Sequence, residues 1–122
     1  HMIAQGGGDM ITISSLAGRK GGPQTSAYSA SKHAVNSMTD AMRQELGNRN
    51  IRVAILMPGA TSTEVGDSIS NPNWRKAIQA HVSKEGAVQP SEIGETIVFM
   101  LAMPRHVNIS EISIRPTIDT TA

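Results

Sequence analysis

The spacing of hydrophobic positions changes repeatedly along the chain, and each change marks an element. Residues 9–15, DMITISS, are a β-branched run that follows three glycines and leads into serines. That pattern predicts a buried strand opening onto a polar loop. The stretch LAGRKGGPQT (16–25) carries glycines and a proline and reads as the loop. From Ser26 the period becomes 3.6. Ala27, Ala30, Ser31, Ala34, Met38, Ala41, Met42, Glu45 and Leu46 recur at i, i+3, i+4 and i+7, one stripe of a long helix. Gly47 and Asn48 supply its stop.

IRVAILMP (51–58) is apolar on both faces, as in a parallel-sheet strand covered from two sides, and Pro58-Gly59 ends it. Residues 60–89 are polar at first and then carry a helical pattern over 72–84. PSEIGETIVFMLAMP (90–104) has Ser91 as an N-cap candidate and places Ile93, Ile97, Met100 and Leu101 on one helix face, with Pro104 as the stop. Residues 107–116 bring Ile109, Ile112 and Ile114 into an imperfect alternation, a final strand. Strands separated by helices predict βαβ units. The fold class is therefore α/β: a partial Rossmann-like fold with a three-stranded parallel sheet and flanking helices. One domain is expected over 1–122, divided into a turn at 1–8, strand-helix-strand at 9–59, an insert at 60–89, and the last helix and strand at 90–122.

Composition narrows the partners. Only 2% of residues are aromatic, so the core must be built from Ile, Val, Leu, Met and Ala. The seven methionines read as adaptable filler for that core. Eleven basic residues stand against ten acidic ones, which gives no electrostatic case for nucleic acid or an anionic membrane. No apolar run approaches the ~20 residues of a membrane span. Cysteine is absent, which excludes disulfides and thiolate metal sites and fits a reducing, cytoplasmic compartment. His81 and His106 have no partner at metal-ligand spacing, so no metal site is assigned. The opening shows no signal-peptide pattern, and His1-Met2 reads as the remnant of an expression tag joined to a start methionine.

The candidate chemistry lies in SAYSASKHAV (26–35), which holds the chain's single tyrosine, with Lys32 four positions after Tyr28. At i and i+4 the two share a helix face. Ser15 closes the preceding strand, and Pro58-Gly59 with 61–63 forms the loop after the next one. In an open parallel sheet such loops converge beyond the carboxyl ends of the strands. A free tyrosine titrates near 10, and an adjacent ammonium favours phenolate. A serine hydroxyl beside it holds a substrate oxygen, so the three together suit carbonyl reduction or alcohol oxidation. The bland alternative is an exposed Tyr–Lys pair, because Tyr-x-x-x-Lys alone is weak. His33, facing away from Tyr28, reads as a surface residue. Trp74 either lines a pocket or packs the insert onto the body.

ITISSLAG, a serine thirteen positions before the tyrosine, YSASK, IRVAILMPG and the threonine after it together resemble the short-chain dehydrogenase/reductase family over essentially the whole chain. The resemblance implies Ser15 as the catalytic serine, Tyr28 as general acid/base, and Lys32 as the residue that binds the nicotinamide ribose and tunes the tyrosine. Pro58, Gly59 and Thr63 correspond to the loop against the nicotinamide, and 64–88 to a variable substrate lid. The cofactor implied is NAD or NADP. Family members begin with a strand, a glycine-rich turn and a helix that receives the pyrophosphate. Here Gly6 to Gly8 precede a strand, and Gly18, Gly21 and Gly22 lie in the loop to the tyrosine helix. The resemblance is thus to the C-terminal half, with the nucleotide-binding N-terminal half missing, and it implies no autonomous catalysis. The strand at 9–15 would lack a neighbour, and an unpaired apolar edge is a template for association. A homodimer or higher homo-oligomer is expected. Two other functions stay open: a non-catalytic remnant that only self-associates, and a small-molecule binding module.

Overall fold

The computed structural model describes residues 1–83 and 86–120. Its elements run β1 (Gly8–Ile13), α1 (Ser26–Leu46), β2 (Ile51–Pro58), α2 (Pro72–Val82), α3 (Pro90–Ala102) and β3 (Glu111–Ile114). The sheet has the order β1-β2-β3, and both pairings are parallel. The α/β class and the three-stranded parallel sheet expected from the hydrophobic pattern are what the chain forms.

Strand β2 is apolar at consecutive positions because both its faces are covered. Val53, Leu56 and Met57 are fully buried. Alternation sends Val53, Ile55 and Met57 toward α1, where Asn36 of α1 touches the Met57 sulfur. It sends Ala54 and Leu56 the other way, into a cluster with Met100, Ile93 and Ile97 of α3 and with Ile11, Ile112 and Ile114 of the neighbouring strands. The strand order is monotonic, yet the two helices lie on opposite faces, so the β1–α1–β2 and β2–α3–β3 crossovers have opposite hands. About 98% of such crossovers are right-handed. One of these two is the exception.

Helix α1 departs from its expected orientation. Of the predicted stripe, Ala27, Ala30, Ala34, Met38 and Ala41 are exposed, while Met42 and Leu46 are half-buried. The face toward the sheet carries Ser29 and Thr39, both buried, with Val35 and Asn36 half-buried. That face lies roughly 120° around the helix from the predicted one. The buried Thr39 hydroxyl is accepted there because it is satisfied. Thr39 Oγ1 pairs with Thr12 Oγ1 at 3.1 Å and back-bonds to the Val35 carbonyl at 2.8 Å.

Element ends also move for identifiable reasons. β1 stops at Ile13, because Ser15 leaves the ladder to cap a 3-10 turn, Leu16–Gly18. α3 starts at Pro90 with Gln89 as N-cap, two positions before the expected Ser91. The Glu92 carboxylate accepts from the Gln89 backbone N–H at 2.7 Å, which satisfies an otherwise orphaned donor. The helix of the insert is capped by Asn71, whose side chain accepts from Asn73 and Trp74 backbone N–H groups. It ends at Val82, and Lys84, the expected end, lies outside the described residues. β3 is shorter than the 107–116 run, since 107–110 are tied to β2 mainly by side chains such as Asn108, which donates to the Val53 carbonyl at 2.9 Å.

The amino ends of the strands are locked by an ion network that hydrophobic spacing does not reveal. Arg52 is the one charged residue in β2, and its side chain is only 10% exposed. It donates to Asp9 at 2.5 Å and to the carbonyls of Leu101, Met103 and Val107, collecting the end of α3 and the chain beyond it. Arg105 grips both Asp9 oxygens at 2.8 Å and donates to the Gly8 and Asn50 carbonyls. Asn50 itself adopts φ +58° in the turn that feeds β2. These hydrogen bonds and charges, led by the Arg52 hydrogen bond, hold the Asp9 carboxyl below its ordinary value of 3.8 against the opposing effect of partial burial.

Two outcomes follow. Arg52→Met removes a buried donor set and leaves three carbonyls and a carboxylate short of partners; chemical denaturation is expected to show a loss of about 2–4 kcal/mol. A carboxyl with a depressed folded value contributes its full stability above its ordinary value and loses that contribution as pH falls through the folded one. Stability should therefore decline as pH drops below 3.8, and Asp9→Asn should flatten that decline while lowering stability at neutral pH.

Candidate functional site

The carboxyl edge of the sheet gathers the loops that follow β1 and β2. Ser15 sits there in extended conformation, with φ −164° and ψ 158°, and its Oγ accepts from the Ala17 backbone N–H at 3.1 Å. The 3-10 turn it opens is closed by Gly18 N–H on the Ser15 carbonyl at 2.9 Å. Gly18 is buried against α1: a Cβ there would lie 2.6 Å from Asn36 Nδ2 and 3.0 Å from the Lys32 carbonyl. The glycine is required by that approach of turn to helix. It leaves no role for Gly18 as an open phosphate cradle.

Helix α1 begins at Ser26, so Tyr28 occupies its first turn. The ring is 49% exposed. Lys32 is half-buried one turn further on, and its Nζ lies 5.7 Å from the ring centroid, within the range of a cation–π contact. Ser31 donates to the Tyr28 carbonyl, and His33 Nδ1 lies 2.8 Å from the Ser29 carbonyl, which engages it away from the tyrosine.

Gly59 joins the second loop to the first. A Cβ at this position would fall 3.0 Å from Leu16 Cδ1 and 3.2 Å from Arg115 Cβ, and its N–H donates to the Ile114 carbonyl at 2.7 Å. The serine turn, Pro58-Gly59 and the end of β3 are therefore in mutual contact. Thr61 turns its hydroxyl back to the Gly59 carbonyl and pairs with Val88 in an isolated bridge. Ser62 N–H to Val88 O and Val88 N–H to Ala60 O complete a neck that closes the insert on itself. Thr63 stands beyond that neck, exposed, with its hydroxyl on the Thr61 carbonyl at 3.4 Å.

Tyr28 and Thr63 both stand open to solvent. A groove of about 280 Å³ between α1 and β3, lined by Asp40, Arg43, Ile55 and Glu111 among others, contains none of Ser15, Tyr28 and Lys32. Trp74 is half-buried in the insert, whose helix is fastened to the preceding turn by Gln79 on Asp67 and by Arg75 on the Ile69 carbonyl. The residues that sequence spacing passes over are Leu16, Gly18 and Asn36. Each acts through contact with a segment distant in sequence, and a glycine in a glycine-rich loop gives no sign of which contact demands it. Among the described residues no helix is long and apolar enough to cross a membrane.

Comparison with known proteins bears on this geometry. The family model described as short chain dehydrogenase matches residues 1–74. An uncharacterized oxidoreductase of Staphylococcus aureus is 31% identical over 115 residues, covering 94% of this chain and 45% of that protein. The chain thus spans about half the length of the curated relatives it matches. A short chain dehydrogenase from Mycobacterium paratuberculosis, solved bound to NAD, superposes with a TM-score of 0.73 at 32% identity over 93% of this chain and 46% of that one. The closed form of a serine dehydrogenase complexed with NADP+ gives a TM-score of 0.88 at 24% identity, covering 99% and 49%, and that likeness speaks for the fold alone. With the family model matched over more than half of its residues, and with its sheet superposing on those of solved members, the chain belongs to the short-chain dehydrogenase family.

Proposed function

We propose that this chain carries the proton-handling side of a nicotinamide-dependent dehydrogenase site acting on a carbonyl or alcohol. The observation that carries the reading is the exposed Tyr28 ring with the Lys32 ammonium over its face, on a helix pressed against the turn that Ser15 opens. In this reading Ser15 holds the substrate oxygen and Tyr28 gives it a proton, or takes one when the reaction runs toward the carbonyl. Lys32 supports the negative charge left on the phenol oxygen when the proton has moved, and it offers donors to a ribose. Pro58 and Gly59 would form the wall against a nicotinamide, with Thr63 at its outer side.

Fit of a dinucleotide is divided. The nicotinamide end would meet Tyr28, Lys32 and the Pro58-Gly59 loop. The pyrophosphate end has no equivalent among the described residues: Gly18 is filled by its contact with α1, and Gly7 and Gly8 lie against Asn50 and Met2 where β1 begins. A bound nicotinamide supplies or takes the hydride; the residues present here move and hold the proton. Catalysis then needs a nucleotide-binding half from a longer polypeptide or a separate chain, and NAD and NADP are equally compatible with this half.

A second reading, association, has its own support. Among the described residues β1 pairs on one side only, Ile13 is 44% exposed, and the alanines of α1 with Met38 face outward. We propose a homodimer or higher oligomer that covers one of these surfaces.

Calorimetric titration with NADH and NADPH tests the first reading: the chain alone is expected to bind either only weakly, and micromolar affinity would overturn the divided fit. When a nucleotide-binding half is supplied, Tyr28→Phe is expected to lower kcat by about 10²–10⁴-fold with little change in KM or Tm. Unchanged turnover would remove Tyr28 from the chemistry. For the second reading, sedimentation should show an oligomer that Ile13→Lys or Met38→Glu weakens, and a wild-type monomer at micromolar concentration would sink it.

A further inference from the structure

Asn36 lies on α1 one turn beyond Lys32 and two beyond Tyr28. Its Nδ2 donates to the Gly18 carbonyl at 3.0 Å and touches the Met57 sulfur at 3.5 Å. Gly18 closes the turn that Ser15 opens, so this one amide ties the serine turn both to α1 and to the central strand. The fit is tight, since a Cβ on Gly18 would collide with the same amide nitrogen. A second observation marks the spot. Ser14 Oγ and Asn36 Oδ1 are the buried side-chain polar atoms that lack a partner among the described residues. Thr12 faces α1, so alternation turns Ser14 to that face as well, one register step past the Ile13–Leu56 pair toward Met57, whose sulfur Asn36 touches. Unpaired buried polar atoms are costly, and their presence here points to a polar group being wanted at this junction for something besides packing.

We propose that Asn36 is a positioning residue for Ser15: its amide holds the Leu16–Gly18 turn against α1 and so sets the serine at a fixed place relative to Tyr28. The anchoring stands on the geometry alone; its catalytic consequence rests on the reading of Ser15 and Tyr28 given above. Lys32 lies between the anchor and the tyrosine on the same helix, one turn from each. The acceptor that the amide serves is a backbone carbonyl, and a leucine of similar size would fill the volume without holding the turn.

Amide hydrogen exchange on the purified chain tests the anchor. Asn36→Leu should speed exchange at Ala17 and Gly18 by about 3- to 10-fold while Val53 and Leu56 in β2 keep their protection. Ser14→Ala removes a hydroxyl that holds nothing and should leave Ala17 and Gly18 as they are. Unchanged exchange in Asn36→Leu, or equal loosening in Ser14→Ala, would overturn the proposal. If Asn36→Leu loosens the whole chain, Gly18→Ala provides the separate check, and it should open the same two amides from the other side of the contact. With the nucleotide-binding half supplied, Asn36→Leu should lower kcat by about 10- to 100-fold with KM little changed. Combined with Ser15→Ala it should cost no more than Ser15→Ala alone. Additive losses would show that Asn36 does not act through the serine. Ser15→Ala with undiminished turnover would instead sink the site reading, while the exchange experiment would still decide the anchor.

Discussion

Strand β2 is hydrogen-bonded on both sides and covered on both faces, and that double burial determines where the chemically interesting residues can lie. A buried strand must pair all of its backbone groups, so β1 and β3 have to run alongside it in register. Once three parallel strands are aligned, their carboxyl ends coincide, and the loops after β1 and β2 emerge side by side. Ser15 and Pro58-Gly59 are separated by more than forty positions in the chain yet meet through Leu16 and Gly59. Helix α1 has only one course open to it, back across the Val53, Ile55 and Met57 face, and its first turn then stands at the same edge.

The two ends of the sheet are built differently. At the amino ends Asp9, Arg52 and Arg105 form a network that binds β1, β2 and the exit of α3 together. Arg52 is tolerated inside the most buried strand because each of its three guanidinium nitrogens finds an acceptor; a bare charge there would be strongly unfavourable. The carboxyl edge carries hydroxyls, a phenol and an ammonium, with an insert tied off at its own neck. A rigid scaffold at one end and reactive groups on loops and a helix start at the other is the arrangement in which side chains can meet a ligand without disturbing the core.

Helix α1 shows where hydrophobic periodicity misleads. Its apolar stripe of alanines and Met38 faces outward, and a row of small and polar residues faces the sheet. Close packing rewards shape and satisfied hydrogen bonds as well as apolar area. Ser29, Asn36 and Thr39 let the helix and the serine turn approach where larger side chains would hold them apart. An alanine-rich stripe states a surface of low polarity and says nothing about what lies against it.

Element types, their order, the α/β class and the meeting of the Ser15 turn with the Pro58-Gly59 loop at one sheet edge were legible in the chain as written. These depend on local propensity, on period, and on the rule that parallel strands present their following loops together. Which side of α1 is buried, why Gly18 and Gly59 are glycines, how Arg52 is accommodated, and that Asn36 grips the serine turn were decided only by the folded chain. Each of those depends on a contact between segments far apart in sequence, and the distance and direction of such a contact exist only once β2 has brought the segments together.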